Sequence, residues 1–240
     1  VRTLVVVPTY NEADNIVPFL QAVAAAAPDV DVLVVDDNSP DGTGRLADDA
    51  AAASPRVSVL HRTGKAGLGA AYRHGFSVAF ERGYDVIVSM DCDLSHDPAT
   101  IPTMIGLLQQ GADVVVGSRY VPGGGTVHWP VHRRLLSRWG NRYTGAVLRL
   151  RVRDCTSGFR AYRASALQAA DPGGTSAEGY AFLTELVRRL ARCGARVVET
   201  PIIFRDRERG TSKMSGRIVA ESMWLVTRWG VRDLVSRGRR

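Results

Sequence analysis

Cysteine, histidine and uninterrupted apolar runs are all scarce in this chain, and each scarcity closes off a class of protein. The three cysteines, Cys92, Cys155 and Cys193, are odd in number and far apart. They form neither a disulfide framework nor a Cys-x-x-Cys metal pair, so they read as packing residues of a protein in a reducing cytoplasm. The five histidines, His61, His74, His96, His128 and His132, have no metal-ligand spacing and no companion cysteine pair, which argues against zinc. No stretch reaches the roughly 18 to 20 apolar residues that cross a bilayer. Even the tail from Ile218 to Val235 is broken by Glu221, Arg228, Arg232 and Asp233. The opening residues Val1-Arg2-Thr3-Leu4 run into Val5-Val6-Val7-Pro8, too short for a secretory signal, and read as a first strand. Gly64-Lys65-Ala66-Gly67-Leu68-Gly69 lacks the order of a P-loop, and its glycines are better suited to opening the next helix.

What the chain has in excess is positive charge. A formal charge of +7 and a pI near 9.8 call for an anionic partner: nucleic acid, phospholipid or a phosphorylated substrate. The arginines crowd two segments, Arg133 to Arg153 and Arg228 to Arg240. At 240 residues with 45% hydrophobic content, the chain is sized for one domain with one sizeable core.

Short β-branched runs at Leu4 to Val7, Val32 to Val35, Val57 to Leu60, Val86 to Met90, Val114 to Val116 and Val197 to Phe204 read as strands. Between the first five, Asp14 to Ala26, Gly44 to Ala53, Gly67 to Arg82 and Ile101 to Gln110 read as helices. This alternation predicts an α/β fold with a mostly parallel central sheet and helices on both faces, and ligands in such sheets bind beyond the carboxyl ends of the strands. After Pro122-Gly123-Gly124-Gly125 the alternation lapses, so the basic Arg133 to Arg153 segment is expected to be a mobile loop on the acceptor side.

Polar clusters follow the strands. Asp91-Cys92-Asp93 ends the fourth apolar run, and two carboxylates one residue apart suit Mg²⁺ or Mn²⁺ bound jointly with substrate phosphates. Asp36-Asp37-Asn38-Ser39-Pro40-Asp41-Gly42 reads equally as a turn and as a site whose carboxylate accepts from a base N–H. Asn11 is placed to cap the first helix, and Tyr10 to stack on a base. Acids on this rim would repel a nucleic-acid backbone, and no aromatic-interleaved platform appears, so nucleic acid is the poorest of the anionic partners.

Together, Pro8-Thr9-Tyr10-Asn11-Glu12, the Asp36 to Thr43 cluster, Asp91 to His96, Gly117-Ser118-Arg119-Tyr120, Thr156-Ser157-Gly158-Phe159-Arg160 and Arg207 to Lys213 closely resemble glycosyltransferase family 2. Within it they resemble the polyprenol-phosphate (dolichol-phosphate) mannose synthases, in a short form without transmembrane helices. The resemblance implies a GT-A type Rossmann-like domain over residues 1–213, followed by a basic amphipathic helix and tail over 214–240. It implies inverting transfer of mannose from GDP-mannose to a polyprenyl phosphate, with a UDP-sugar glucosyl or aminosugar transferase as the alternative. By the same resemblance Pro8, Tyr10, Glu12, Val35 and Asp37 would hold the guanosine, while Asp91 and the Cys92 backbone would hold the ribose and diphosphate. Asp93 would ligate the metal, with Ser95 standing where some relatives carry glutamine. Arg119 and Arg133 would grip the acceptor phosphate, Arg119 also bordering the donor, and Arg207 with Lys213 would close over the diphosphate. The acceptor is already an anion at neutral pH, so neither Asp91 nor Asp154 is expected to be an essential base. Because the lipid acceptor stays in the bilayer, the protein is expected on the inner, cytoplasmic face of the membrane, bound peripherally or through a membrane-embedded partner. Val219, Met223, Trp224, Val226, Trp229 and Leu234, among Arg228, Arg232, Arg237, Arg239 and Arg240, have the composition of a helix at headgroup level.

Overall fold

The computed structural model describes residues 1–179, 181–206 and 216–237, the last stretch with side chains over 220–235. Nine strands are described: β1 (Thr3–Thr9), β2 (Asp31–Asp36), β3 (Val57–His61), β4 (Val86–Ser89), β5 (Val114–Ser118), β6 (Gly125–Val127), β7 (Arg160–Arg163), β8 (Val197–Pro201) and β9 (Ile203–Arg205). The helices are α1 (Ala13–Ala26), α2 (Thr43–Ala53), α3 (Leu68–Glu81), α4 (Ile101–Gln109), α5 (Val131–Leu148), α6 (Ala164–Ala169), α7 (Ala181–Arg192) and α8 (Gly216–Arg237).

Seven strands form one sheet in the order β3-β2-β1-β4-β7-β5-β8. Every pairing in it is parallel except those of β7, which runs antiparallel between β4 and β5. The period-2 alternation of β1 explains the layering. Val5 and Val7 pack with Ile16 and Phe19 of α1 and Met104 of α4. Leu4 and Val6 face the other way, onto Tyr72 and Phe76 of α3 and Phe182 and Leu186 of α7. The chain winds from β1 outward through β2 and β3, then returns to place β4 on the other side of β1. That reversal opens a crevice beyond the carboxyl ends of β1 and β4, where the polar motifs sit.

Two expectations are corrected, and one strand has no reading from the sequence pattern. The run Val197 to Phe204 is two strands. Pro201 has no N–H to continue the ladder; Ile202 turns inward, its N–H donating to Ser118 O at 3.0 Å, and β9 leaves the main sheet to pair with β6. The Arg133 to Arg153 segment is not a mobile loop, since most of it lies in the 18-residue helix α5. Its pattern is the reverse of an ordinary surface helix: Leu135, Leu136 and Trp139 are exposed, while Asn141 and Thr144 are buried. The strand without such a reading is β7, which begins with Arg160, a residue that is fully buried. Its guanidinium donates from each of its three nitrogens, to the carbonyls of Ser157, Leu183 and Cys155 at 2.8, 2.6 and 2.7 Å, the hydrogen bonding that offsets the burial of a cation. Of the cysteines, Cys92 and Cys155 are buried as expected, whereas Cys193 is exposed.

Helix α8 lies against α5. Val226 and Trp229 are buried with Leu148, Tyr143 Oη and Thr227 Oγ1 are 2.7 Å apart, and Arg188 of α7 pairs with Asp233.

Gly75 sets the distance between α3 and the sheet: a Cβ there would lie 2.4 Å from Val6 Cγ1 and 3.2 Å from Val35 Cγ2. Overpacking costs about 1–3 kcal/mol, against a helix-propensity gain of about 1 kcal/mol. Gly75→Ala should therefore lower the urea midpoint with little change in slope. An unchanged or raised midpoint would show that this contact does not limit the spacing.

Candidate active site

The β1 and β2 ends are fastened to each other by their own side chains. Asp36 accepts from Thr9 Oγ1 at 3.1 Å and from Ser39 N and Oγ at 3.1 and 2.6 Å. Asp41 accepts from Ala13 N and Thr43 N, each at 3.0 Å, so one carboxylate serves the first turns of α1 and α2 together. Thr43 Oγ1 accepts from Glu12 N at 2.9 Å. Asn11 does not cap α1; it adopts φ +57°, and its N–H donates to Ser39 Oγ at 3.1 Å. Gly42, at φ +89°, opens α2 as its glycine predicts.

Of the residues expected around the base, Tyr10 and Glu12 line up after β1, and Lys65 Nζ lies 4.2 Å from the Tyr10 ring centroid. Asp37 is ion-paired with Arg62. Burial pushes its carboxyl above the ordinary value even though Arg62 and the Ala66 N–H favour its charge. Pro8 is half-buried. The side chains of Val35 and Cys92 belong to the core, leaving only their main chain for a ligand.

Asp91 and Asp93 emerge together just beyond β4. Asp93 is buried, and its Oδ1 accepts from Ser95 N at 3.0 Å. Asp91 is partly exposed, with Oδ2 3.6 Å from Nε2 of buried His96. A Cβ at Gly158 would lie 3.2 Å from the same oxygen, so the glycine in Thr156-Ser157-Gly158 lets its backbone approach this carboxylate. Among the described residues, Ser95 Oγ and His96 Nδ1 are buried without a hydrogen-bond partner. Two carboxylates and a buried hydroxyl fit a hard divalent cation whose other ligands come from substrate oxygens. They do not form an all-protein cage: among the described residues there is no group of three or more acidic, histidine or cysteine side chains placed for a metal. His96, set between Phe159 and Phe204 at centroid distances of 5.3 and 5.1 Å, is a site residue that histidine spacing did not single out. Its adjacency to the acid pair was the available signal.

Arg119 is buried and committed along one edge. Its Nε donates to Asp154 Oδ2 at 2.7 Å, and Nη2 donates to Asp154 Oδ1 at 2.6 Å and Thr156 Oγ1 at 2.8 Å. The expected grip of Arg119 on an acceptor phosphate is thereby narrowed. The Nε/Nη2 fork already holds Asp154, leaving Nη1, which makes no hydrogen bond among the described residues. Asp154 is wholly buried. Burial opposes its charge, but the guanidinium and its hydrogen bonds win and hold the carboxyl below the usual value. Arg133 donates through Nη1 to Asp206 Oδ2 at 2.9 Å and lies over the Trp129 ring, 4.1 Å from its centroid. Arg207 and Lys213 lie outside the described residues.

These groups share a cavity of about 220 Å³. Asp91, Asp93 and His96 line it alongside Arg119 and Arg133, and Leu136 of α5 with Met223 and Val226 of α8 give it apolar wall.

Residues 4–170 match the family Glycosyl transferase family 2. The chain is 48% identical to a polyprenol monophosphomannose synthase of Mycolicibacterium smegmatis, over 99% of this chain and 90% of that protein. It is 50% identical to an undecaprenyl-phosphate mannosyltransferase of Micrococcus luteus, over 96% and 94% of the two chains. Among solved structures, a mannosyltransferase from Pyrobaculum calidifontis in complex with GDP-Man and Mn²⁺ superposes with a TM-score of 0.65 at 18% identity. The match covers 96% of this chain and 64% of that one, a likeness of fold.

Breaking a buried ion pair from one side costs about 3–5 kcal/mol, so Asp154→Asn should lower the urea midpoint sharply. Since Asp154 titrates lower when folded than its ordinary 3.8, its contribution is complete above that value and is lost as pH falls through the folded value. The Asn variant should therefore lose less stability on acidification than the wild type. Parallel acid limbs in urea titrations from pH 5 downward would exclude this ion pair as a source of acid sensitivity.

Proposed function

Since the chain belongs to glycosyltransferase family 2, with its GT-A type α/β fold, we propose that it transfers mannose, with inversion, from GDP-mannose to a polyprenyl phosphate. The names of the relatives that share about half its residues support the sugar and the acceptor class. The observation that carries the reading is the cavity. It offers carboxylates for the metal-bound end of a nucleotide sugar, arginines for a second phosphate, and an apolar wall from α5 and α8 for a lipid chain.

In this reading a phosphate oxygen of the acceptor attacks the anomeric carbon, the bond from that carbon to the diphosphate oxygen breaks, and GDP leaves. The acceptor's second pKa, near about 6, makes it an anion at neutral pH, so no side chain must remove its proton. Asp154, fully engaged by Arg119, is then a holder of that arginine and not a base. Asp93, with Ser95, would hold Mg²⁺ or Mn²⁺ against the donor diphosphate. The ion would supply neutralisation of charge on the leaving group. Asp91 and the Cys92 main chain would meet the ribose and diphosphate, and Pro8, Tyr10, Glu12, Val35 and Asp37 the guanosine. Arg133 and the Nη1 of Arg119 would meet the acceptor phosphate, and Arg207 and Lys213 the donor diphosphate. Residues 1–213 would carry the chemistry, with the 214–240 segment lending a wall to the cavity and a face to the lipid.

That face is composite. Among the described residues no helix is long and apolar enough to cross a membrane. Leu135, Leu136 and Trp139 on α5, and Trp224, Val231, Leu234 and Val235 on α8, are exposed large hydrophobics. They are interspersed with exposed Arg134, Arg138, Arg142, Arg228 and Arg232. Trp229 and Val226 pack inward instead. Of the other tail residues expected at headgroup level, the side chains of Val219 and Arg237 and residues Arg239 and Arg240 lie outside the description. Aromatic and aliphatic groups among arginines suit the interface of an anionic leaflet, here the cytoplasmic face.

Purified protein incubated with GDP-mannose, UDP-glucose and UDP-linked aminosugars, each with prenyl phosphate or free prenol, should yield one lipid product by mass, from GDP-mannose and prenyl phosphate. Chelation should abolish it, and added Mg²⁺ or Mn²⁺ should restore it. Turnover only with a UDP-sugar would replace the donor, and equal turnover of prenol would remove the acceptor-phosphate role of Arg119 and Arg133.

Each arginine near an anionic surface contributes on the order of 1 kcal/mol. The protein should therefore sediment with anionic vesicles at low salt and be released at high salt, and Trp139→Glu combined with Trp224→Glu should weaken this without altering the fold. Absence of vesicle binding at low salt would assign membrane attachment to a membrane-embedded partner.

A further inference from the structure

Resting on the reading that Arg119 meets the acceptor phosphate, we propose that Thr156 and Asn141 are positioning residues that set acceptor affinity by fixing the Arg119 guanidinium. Thr156 Oγ1 accepts from Arg119 Nη2 at 2.8 Å and from Asn141 Nδ2 at 3.2 Å, and it donates to Asp154 Oδ1 at 3.3 Å. A hydroxyl offers one donor and two acceptor positions, so this one is used completely. The amide of Asn141, itself buried, is equally committed. Its Nδ2 also donates to Ser137 O at 2.9 Å, and its Oδ1 accepts from Cys155 N at 2.7 Å. Asp154 is held from beneath, its N–H donating to Glu199 Oε1 at 3.0 Å.

The consequence for Arg119 is geometric. Asp154 takes the Nε and Nη2 edge, Thr156 takes the remaining Nη2 hydrogen, and Nη1 is left as the donor for an incoming anion. Thr156 is exposed where it lines the cavity, yet its hydroxyl is spent on the network and not on solvent. Asn141 belongs to α5, the helix that also carries Arg133. Arg133 sits on α5 itself, and Arg119, which follows β5, is tied to the same helix through Thr156 and Asn141. Valine at 156 keeps the shape and removes the hydroxyl; serine keeps the hydroxyl and removes the methyl.

The test measures acceptor KM, donor KM and Tm for the full chain and for Thr156→Val, Thr156→Ser and Arg119→Ala, with prenyl phosphate and the nucleotide sugar that supports turnover. Loss of a hydrogen bond to a charged group should raise the acceptor KM of Thr156→Val about tenfold. Donor KM should stay near wild type, Tm should fall by a few degrees because two buried donors lose a partner, and Thr156→Ser should restore both Tm and the acceptor KM. An unchanged acceptor KM in Thr156→Val, an equal rise in donor KM, or a Thr156→Ser no better than Thr156→Val would overturn the positioning role. If Arg119→Ala itself leaves the acceptor KM unchanged, the acceptor reading falls and the proposal with it. If Arg119→Ala raises it while Thr156→Val does not, only the positioning role falls.

Discussion

The buried ion pair between Arg119 and Asp154 ties together segments that are distant in sequence. Arg119 follows β5, Asp154 precedes β7, Glu199 of β8 braces Asp154 from below, and Asn141 reaches in from α5. Removing a charge pair from water is expensive, and the cost is offset only where the remaining hydrogen-bonding capacity is also used. Here the capacity of Asp154 and of one edge of Arg119 is used: both carboxylate oxygens of Asp154 accept, and the backbone N–H, Nε and Nη2 of Arg119 donate to that residue or to nearby Thr156. The orientation of the arginine, the closure of the sheet's far edge and the seating of α5 are one arrangement.

The acid-pair side of the same cavity is built differently. Among the described residues, Ser95 Oγ, His96 Nδ1 and, across the aromatic contact with Phe204, Trp129 Nε1 are buried without a hydrogen-bond partner. Such atoms cost about 1–3 kcal/mol each when left unpaired, and they concentrate where a site accommodates groups from outside the chain. An arginine fixed along one edge by Asp154, with Nη1 left over, facing an acid loop with unpaired atoms is the asymmetry expected of a site that holds one substrate charge with a fixed protein donor and another with a bound ion. It agrees with the proposed division between acceptor phosphate and donor diphosphate.

Helix α5 joins the chemistry to the lipid. Its buried Asn141 and Thr144 face the charged cavity and its Leu148 packs with α8, while its exposed side mixes Leu135 and Trp139 with Arg134, Arg138 and Arg142 and, in the proposed function, meets a membrane. A helix between those two surroundings inverts the usual pattern, and α8 packs beside it with Gly230 so close to Val147 that a Cβ would fall 2.4 Å from Val147 Cγ1.

Much of the sheet was legible in the chain itself. Val5-Val6-Val7, Val32 to Val35 and Val114 to Val116 are β-branched runs bounded by turn formers, and their burial in a parallel sheet follows from local propensity and alternation. The place of the acid pair, the β1 and β2 rim clusters and the family also followed from sequence, because a parallel sheet puts everything after its strands on one edge. Tertiary structure alone decided the rest. Arg160 could be a strand residue only because a remote carbonyl, that of Leu183 on α7, joins those of Cys155 and Ser157 in the loop before it around the guanidinium, and α5 could bury Asn141 and Thr144 only because a cavity lies against them. Asn11 lost the cap to Asp41 because the second loop folds back onto the first helix. Arg119 lost most of its fork to Asp154, a partner 35 residues away. In each case the deciding group comes from a distant part of the chain, and neither periodicity nor motif spacing carries information about where a remote carboxylate or carbonyl will point.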